Sequence, residues 1–445
     1  MKNKIGLVCI FLLAAINVCW FWPGNLYFLN DDLLHIPLTD QGHLFQTNSV
    51  RPLHELLVRL DLLLWGKNAF GYHLTALLLH FIVCIQLYNL CLVMQIQWLK
   101  ITRQQAMWAA LLAVILFLAY PQSSESIAWI LGRTPALSAV FFMIAVRLFF
   151  VENYIWSVYF TGTCCFAAAL FTYEQSLLLP IALLLIAFKE KERIKRQGMY
   201  KYALILLAVD AVYIIARKLI TSEVVGAYEG GNLLSMNWAA LVANAFRIFF
   251  RLVLNPANKT VFILSAVVLL LLVLFIIFSA RKLHVNRRSV TFFAAITILL
   301  IAPVISLGLP VNSFESGRFL YLPSLFFVTG ISIAGVAACS QNKGFRKPLM
   351  VLLIFLTSYW LLGKYMASRN YTDASSYAES VENKVQLHFQ QTSDTLYIDT
   401  LRTSIHRLPV FRLGFKTGIN WLNSNIDTNK IVVRNYYDEV LSQPE

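Results

Sequence analysis

The chain has 445 residues, of which 58% are hydrophobic and only 13% are charged, and its formal net charge is +14. A soluble domain carries roughly a quarter charged residues, so this composition excludes an ordinary water-soluble protein and indicates a membrane protein. The excess of lysine and arginine does not indicate nucleic-acid binding, because these residues form short clusters between apolar runs and no basic region is long enough to be a docking face.

Apolar runs that can each cross the ~30 Å hydrocarbon core of a bilayer recur along the chain. From them we predict an all-α polytopic membrane protein with about eleven transmembrane helices. The predicted spans are 4–22, 72–97, 105–120, 135–151, 154–171, 176–188, 200–218, 260–280, 290–308, 319–339 and 349–366. The first resembles a signal peptide, but aromatic residues stand at 20–22, where a small-residue cleavage site is expected, so we predict that it is retained.

The basic clusters between the spans predict the orientation of the chain, because loops rich in lysine and arginine stay on the cytoplasmic side. The basic residues at the start place the N-terminus inside, and the strongest cluster, 189–196, also falls inside. The later clusters remain inside only if the segment 237–255 does not cross the bilayer. We therefore predict an interfacial or re-entrant helix there, on the outer face, where Arg247 and Arg251 meet anionic lipid headgroups or a phosphate.

This orientation divides the chain into two predicted parts. Residues 1–366 form a predicted transmembrane domain, whose acidic residues concentrate on the outer face. Residues 367–445 form a small α/β appendage outside the cytoplasm. Within it a helix is expected at 373–389, and strands are expected at 395–401 and 430–437.

Asp31 and Asp32 follow the first span in the sequence LNDDLLHIPL. Two adjacent acids near a membrane surface can act as a general base and a metal ligand, or as a base and a partner that positions the acceptor. They can equally well belong to a solvated turn with a helix N-cap. Adjacent residues point in different directions, so only one is expected to face the site, and of the two we prefer Asp32.

Three further outer segments supply acids or arginines. Glu125 and Arg133 lie in PQSSESIAWILGRTPAL, Glu174 lies in FTYEQSLLLP, and Glu315, Arg318 and Tyr321 lie in SFESGRFLYLPS. A salt bridge, or an interfacial arginine that reaches toward water, explains each of these on its own. Their arrival at one membrane face instead favours a site for a phosphate-bearing amphiphile, for which Arg133 offers bidentate donors.

The ordered set of these segments resembles a known family. The early DD loop, NAFGYHLTALLLHFIVCIQLY, ESIAWILGR, YEQSLLLP and ESGRFLYLPS together resemble the GT-C superfamily of integral membrane glycosyltransferases, over about residues 1–366. The likeness is to the branch related to protein O-mannosyltransferases, including those with tetratricopeptide repeats. This sequence lacks a tetratricopeptide array and has only a short polar tail, which leaves the acceptor open.

The resemblance implies transfer of a sugar from a polyprenyl-phosphate carrier to an acceptor on the far side of the membrane, and we expect inversion at the anomeric carbon. It implies that Asp31 or Asp32 is the base, that Glu125 assists at the acceptor or sugar, and that Arg133 and Arg318 bind the carrier phosphate. Other residues expected to line the site are His35, Arg51, Glu174, Glu315 and Tyr321.

The expected partners are the polyprenyl-phosphate sugar donor, membrane lipids and a glycan, glycolipid or protein acceptor. The sequence requires no cofactor, and the resemblance allows a divalent cation because some relatives use one. The compactness of the chain fits a hexosyl- or related transferase of the bacterial inner membrane that acts on cell-envelope glycan, lipid or secreted protein. Its active site would face the periplasm or the exterior.

Two other classes of protein fit parts of the sequence. A polytopic transporter or lipid-linked glycan flippase carries ionisable residues within several spans or internal inverted repeats, and Asp210 is the main acid deep within a predicted span. A non-enzymatic membrane scaffold is the other alternative. Replacing Asp31 and Asp32 by alanine, with folding retained, distinguishes an enzyme, which would lose sugar transfer, from both alternatives.

Overall fold

The computed structural model describes residues 2–43, 50–99, 101–221, 238–267, 287–341 and 343–439, and these residues are mostly helical. The α-helices are α1 Lys2–Trp20, α2 Asp32–Asp40, α3 Pro52–Trp65, α4 Ala69–Val93, α5 Arg103–Ala119, α6 Glu125–Ala128, α7 Thr134–Phe149, α8 Trp156–Leu170, α9 Leu179–Lys189, α10 Arg193–Thr221, α11 Trp238–Arg251, α12 259–267, α13 Arg287–Ile301, α14 Tyr321–Gln341, α15 Lys343–Gln391 and α16 Phe415–Leu422. Shorter turns of helix lie at Pro23–Asn25, Met94–Trp98, Pro121–Ser123, Leu131–Arg133, Glu174–Leu178, Ala302–Leu307, Gly317–Leu320 and Thr428–Lys430.

Five of the described helices are long and apolar enough to cross a membrane. They are Gly6–Asn25, Ala69–Trp98, Leu131–Phe149, Gly317–Ser340 and Arg346–Gln391. A sixth is obtained if α5 and Pro121–Ala128, which are bent by 61° from each other, form one broken span. Shorter apolar helices at Trp156–Leu170, Glu174–Phe188 and Phe292–Leu307 also coincide with predicted spans.

The chain is therefore a multi-pass membrane protein, and the larger count of about eleven spans stays a prediction. The predicted span 260–280 lies partly outside the described residues. The orientation of the chain across the bilayer also stays a prediction.

The bend after α5 is held by side chains from two other helices. The chain turns at Pro121, which has no backbone N–H to continue the helix. The carbonyl of Leu118 accepts hydrogen bonds from the Asn17 amide at 3.1 Å and from the Lys364 ammonium at 2.8 Å. Backbone groups inside a membrane protein need such partners, because lipid offers none. The bend directs the following residues, which include Glu125, toward the end of the helix bundle.

Helix α11 covers most of the segment 237–255. Its C-terminal end contacts the loops predicted to lie outside: the Gln122 amide donates to the Arg251 carbonyl, and Arg251 donates to the Ser313 carbonyl. These contacts favour the predicted interfacial position, which itself stays a prediction.

The C-terminal segment begins as a continuation of the membrane helices. Helix α15 runs through 49 residues, so the predicted boundary between 366 and 367 falls inside one continuous helix. Beyond it, β1 Leu396–Arg402 pairs in parallel with β4 Ile431–Tyr437, and β2 Ser404–Ile405 pairs antiparallel with β3 Leu408–Pro409. The strands predicted at 395–401 and 430–437 thus correspond to β1 and β4.

The described residues contain two large hydrophobic clusters and a third, small one. The larger one lies among the helices and includes α4, α5, α7 and α14. The second joins the loop after α1 to the C-terminal segment, because Phe28, Leu33, Trp129, Phe411 and Trp421 are buried together in it. The C-terminal segment therefore packs directly on the first two predicted outer loops.

Candidate functional site

Asp32 is a buried carboxylate that connects two loops. Its Oδ2 accepts a hydrogen bond from the backbone N–H of Leu29 at 3.1 Å, and its Oδ1 accepts one from that of Leu131 at 3.0 Å. The side chain is fully buried. Burial raises the pKa of this carboxyl to about 8, although the two backbone N–H groups act in the opposite direction. Both oxygens are thus engaged in holding the loop after α1 against the loop before α7.

Asp31 is the more accessible of the two acids. It is only partly buried, and its Oδ1 accepts a hydrogen bond from the Asn30 side-chain amide at 2.7 Å. Asp31 stands at the N-cap position of α2, but its side chain makes no capping hydrogen bond there. The sequence-based alternative of a simple helix cap therefore does not describe this residue.

His54 marks a point where several charged side chains converge. Its Nδ1 lies 3.1 Å from the Thr134 hydroxyl at the start of α7. Burial lowers the pKa of His54 well below its usual value, and the nearby positive charges of Arg133, Arg51, His35 and Arg318 lower it further. These groups come from α2 and from the segments before α3, α7 and α14. We refer to His35, Arg51, His54 and Arg318 as the outer cluster, together with Asp31, whose backbone carbonyl accepts the N–H of His35 at 2.8 Å.

Glu125 pairs with Arg318. Its Oε2 accepts the backbone N–H of Arg318 at 2.8 Å, and its Oε1 lies 3.5 Å from the Arg318 guanidinium. Glu125 is buried, whereas the Arg318 side chain keeps 19% of its exposure and lies over the Trp129 ring at 4.4 Å. A guanidinium that is oriented by a carboxylate and an aromatic ring, yet still reached by solvent, is suited to binding an anion.

Arg133 pairs with Asp61 and not with Glu125, the acid near it in the sequence. Its guanidinium is fully buried, forms an ion pair with Asp61 of α3, and donates to the Tyr72 carbonyl at 3.1 Å. Asp61 also accepts from the Thr75 hydroxyl at 2.8 Å. This environment offers no open side to a donor phosphate, so it gives no support to the phosphate-binding role expected for Arg133.

Glu174 bridges two arginines. Its Oε2 lies 2.9 Å from Arg51, and its Oε1 lies 2.9 Å from Arg217 near the end of α10. The Arg51 guanidinium also lies over the Tyr173 ring at 5.4 Å. Two guanidinium groups on one carboxylate leave an excess of one positive charge, which adds to the positive field around the outer cluster.

Other predicted site residues lie outside the outer cluster. Glu315 pairs with Arg412 of the C-terminal segment at 2.9 Å, and burial raises the pKa of Glu315. Tyr321 is buried within the bundle, where its hydroxyl lies 2.9 Å from Nδ1 of His80. Arg251 is fully buried, so protein surrounds it in place of the expected lipid headgroups, whereas Arg247 is half-buried.

A divalent cation has no evident ligand set in the part of the chain that is described. No group of three or more histidine, cysteine, aspartate or glutamate side chains there could hold a metal ion. The donors that meet around His54 are largely cationic, and such surroundings do not fit a bound cation. We therefore derive no catalytic step through a metal.

Curated proteins with a related sequence are O-mannosyl-transferases. The chain is 33% identical over 124 residues to protein O-mannosyl-transferase tmtc2 of Xenopus laevis, a match that covers 28% of this chain and 13% of that protein. It is 31% identical over 129 residues to protein O-mannosyl-transferase Tmtc3 of Drosophila melanogaster, a match that covers 26% of this chain and 14% of that protein. The resemblance to these transferases is confirmed. Each match spans only a small part of the relative's own length.

Solved structures give weaker likenesses. The chain is 11% identical to ArnT from Cupriavidus metallidurans bound to undecaprenyl phosphate, over 96% of this chain and 89% of that one, with a TM-score of 0.48. It is 11% identical to the oligosaccharyltransferase AglB from Archaeoglobus fulgidus in complex with an inhibitory peptide and a dolichol-phosphate. This likeness covers 94% of this chain and 64% of that one, with a TM-score of 0.47. Scores of this size do not establish a shared fold. No protein-family model matches the chain.

Several residues that contact the predicted site residues were not themselves predicted to belong to the site. Asp61 and Arg217 make its buried ion pairs, and Asn30 contacts Asp31. Arg217 could have been predicted from the sequence, because it is a basic residue at the outer end of a predicted span. Asp61 and Asn30 had none, since only the packing of distant segments gives them their partners.

Proposed function

We propose that the chain is a membrane glycosyltransferase that moves a sugar from a polyprenyl-phosphate donor to an acceptor on the non-cytoplasmic face. The observation that carries the proposal is the sequence similarity to protein O-mannosyl-transferases. The outer cluster supports it, because an accessible acid and several arginines are the groups that this reaction needs.

Asp31 is the proposed base. It is partly exposed, whereas Asp32 is buried and both of its oxygens accept backbone hydrogen bonds. A base must reach the proton that it removes, and this requirement favours Asp31. The buried Asp32 then positions the loop that carries the base, which reverses the preference drawn from the sequence.

Arg318 is the proposed phosphate ligand, and Arg51 is the second candidate. Both guanidinium groups keep 19% side-chain exposure, whereas that of Arg133 keeps none. Arg318 is fixed by Glu125 and Trp129, and a fixed donor loses little freedom when it binds an anion. Glu125 accordingly orients this arginine in place of the expected direct role at the acceptor.

The reaction follows from these placements. The Asp31 carboxylate accepts the proton of an acceptor hydroxyl as the hydroxyl oxygen attacks the anomeric carbon of the donor. The bond between that carbon and the phosphate oxygen breaks, and its electron pair leaves with the polyprenyl phosphate. Arg318 and Arg51 stabilise the charge that develops on the phosphate, and attack opposite to the leaving group inverts the anomeric centre.

The proposed setting is a bacterial inner membrane with the site facing the periplasm or the exterior. The acceptor is proposed to be a glycan, glycolipid or protein of the cell envelope. The C-terminal segment supports an extended acceptor, because it packs beside the outer cluster and adds protein surface next to it.

The test uses the full-length protein in nanodiscs, with a panel of polyprenyl-phosphate sugars that includes the mannose form. Release of polyprenyl phosphate and appearance of glycosylated acceptor are measured for the wild type, for Asp31→Asn, and for Asp394→Asn as an exposed control acid. We expect transfer in the wild type and in the control, with loss in Asp31→Asn. If the wild type releases no polyprenyl phosphate but moves a fluorescent lipid-linked sugar across the bilayer, the transporter alternative is correct.

A further inference from the structure

Asn30 has an uncommon backbone conformation next to the proposed base. Its φ is +46°, in the left-handed region that asparagine tolerates better than most other residues. Its side chain is buried, with 6% exposure. The residue stands between Leu29, whose N–H donates to Asp32, and Asp31.

Three hydrogen bonds hold Asn30 between the C-terminal segment and Asp31. Its backbone N–H donates to the Val410 carbonyl at 2.7 Å, and its Oδ1 accepts the Leu413 N–H at 3.0 Å. Its Nδ2 donates to Oδ1 of Asp31 at 2.7 Å. The orientation of the amide follows from chemistry, because the Leu413 N–H needs an acceptor and a carboxylate needs a donor.

The C-terminal segment that holds Asn30 is itself tightly packed on α2. A Cβ on Gly414 would lie 2.6 Å from the Leu34 nitrogen, and one on Gly418 would lie 2.7 Å from the Leu33 side chain. Trp421 of α16 donates to Asp40 at the end of α2 at 2.9 Å. Movement of this segment would therefore move the loop that carries both acids.

We propose that Asn30 is a positioning residue through which the C-terminal segment orients the Asp31 carboxylate. The inference rests on the proposed function, in which Asp31 is the base. One amide ties Oδ1 of Asp31 to residues 410–413 and so restrains the rotamer of the carboxylate. Residues 410–413 of the C-terminal segment thus help to position the proposed base through Asn30.

Two substitutions at Asn30 separate its hydrogen bond to Asp31 from its hydrogen bond with Leu413. Asn30→Asp keeps an acceptor for the Leu413 N–H but replaces the donor to Asp31 by a carboxylate oxygen. Asn30→Gly keeps the positive φ but removes both side-chain hydrogen bonds. Asn425→Asp, at an exposed asparagine of the C-terminal segment, is the matched control.

We expect both Asn30 variants to lower kcat roughly tenfold or more, the size expected for losing a hydrogen bond to a charged group, with the donor KM changed less than about twofold. Hydrogen exchange of the Leu413 amide should become faster in Asn30→Gly and stay slow in Asn30→Asp. The control should keep the parental kcat and exchange rate. A merely structural role would instead lower the amount of folded protein and leave the kcat of the remainder unchanged.

Different failures have different meanings. Absence of sugar transfer by the wild type overturns the proposed function and this inference with it. An inactive Asp31→Asn beside an Asn30→Asp variant with parental kcat overturns the inference alone. Unchanged exchange of the Leu413 amide in Asn30→Gly overturns the link to the C-terminal segment.

Discussion

Asp32 and Leu131 join two loops that are far apart in sequence, because Oδ1 of Asp32 accepts the Leu131 backbone N–H at 3.0 Å. The bond fixes the loop after α1 against the loop that leads into α7. Asp31, Trp129 and Arg133 belong to these two loops, so their positions depend on this contact. The buried carboxyl group of Asp32 accepts two backbone N–H groups and so holds these loops together, next to Asp31, the proposed base.

The first prediction separates the two acids. Asp31→Asn should lower kcat by about 10²- to 10⁴-fold with little change in the donor KM, because a general base acts in the transition state. Asp32→Asn should mainly destabilise the protein, by about 1–3 kcal/mol, because its amide nitrogen would face a backbone N–H. Steady-state kinetics and thermal unfolding in detergent measure the two effects. Equal kinetic losses without any loss of stability in Asp32→Asn would assign the base to Asp32.

The second prediction concerns the pH dependence of stability. Burial raises the pKa of Asp32 from 3.8 to about 8, so the folded state holds this proton more tightly than the unfolded state does. The stabilisation of the folded state by the protonated Asp32 carboxyl is fully present below pH 3.8 and is lost as the pH rises toward 8. The apparent Tm of the wild type should therefore fall between about pH 5 and pH 8 by more than that of Asp32→Asn, which cannot ionise. Parallel Tm curves for the two proteins would contradict the raised pKa.

The third prediction tests the proposed phosphate ligand. Arg318→Ala should raise the donor KM about tenfold and also lower kcat, because the guanidinium contacts the leaving phosphate in both the ground state and the transition state. Arg318→Lys should recover part of the loss, since it restores the charge but not the bidentate geometry. Arg434→Ala, an exposed arginine of β4, is the control. An unchanged donor KM in Arg318→Ala would remove this residue from the site.

The fourth prediction tests the buried pair of Arg133 and Asp61. Removing either partner leaves a buried charge uncompensated, so Arg133→Met and Asp61→Leu should each destabilise the protein by about 3–5 kcal/mol. The double variant should recover most of that stability, because two apolar side chains replace the pair. Thermal unfolding of the wild type, the two single variants and the double variant gives the double-mutant cycle that measures the interaction of the pair. A folded Arg133→Met protein with a raised donor KM and parental stability would instead support the phosphate-binding role expected from the sequence.

The fifth prediction tests the orientation of the chain. In a variant with its exposed Cys19 and Cys164 replaced by serine, a cysteine introduced at Asp394 should react with a membrane-impermeant maleimide from outside the cell. A cysteine at Lys191, in the strongest basic cluster, should react only after the membrane is opened. The opposite pattern would place the outer cluster on the cytoplasmic side.

The sequence by itself determined the class of protein and the positions of most helices. Apolar length is a local property, so runs such as 72–97 and 319–339 predicted α4 and α14 without knowledge of their neighbours. It also placed Asp31, Glu125 and Arg318 in segments between the predicted spans, and it carried the resemblance to O-mannosyl-transferases. Alternation and β-branched residues likewise predicted β1 and β4.

Only the tertiary structure decided which acid pairs with which arginine. Glu125 and Arg133 are near each other in sequence, but Glu125 contacts Arg318 and Arg133 contacts Asp61. It also decided which aspartate is buried, because the N–H of Leu131 reaches Asp32 and leaves Asp31 partly exposed. The physical reason is that ion pairs and hydrogen bonds act over a few ångströms in space, and the packing of distant helices sets those distances.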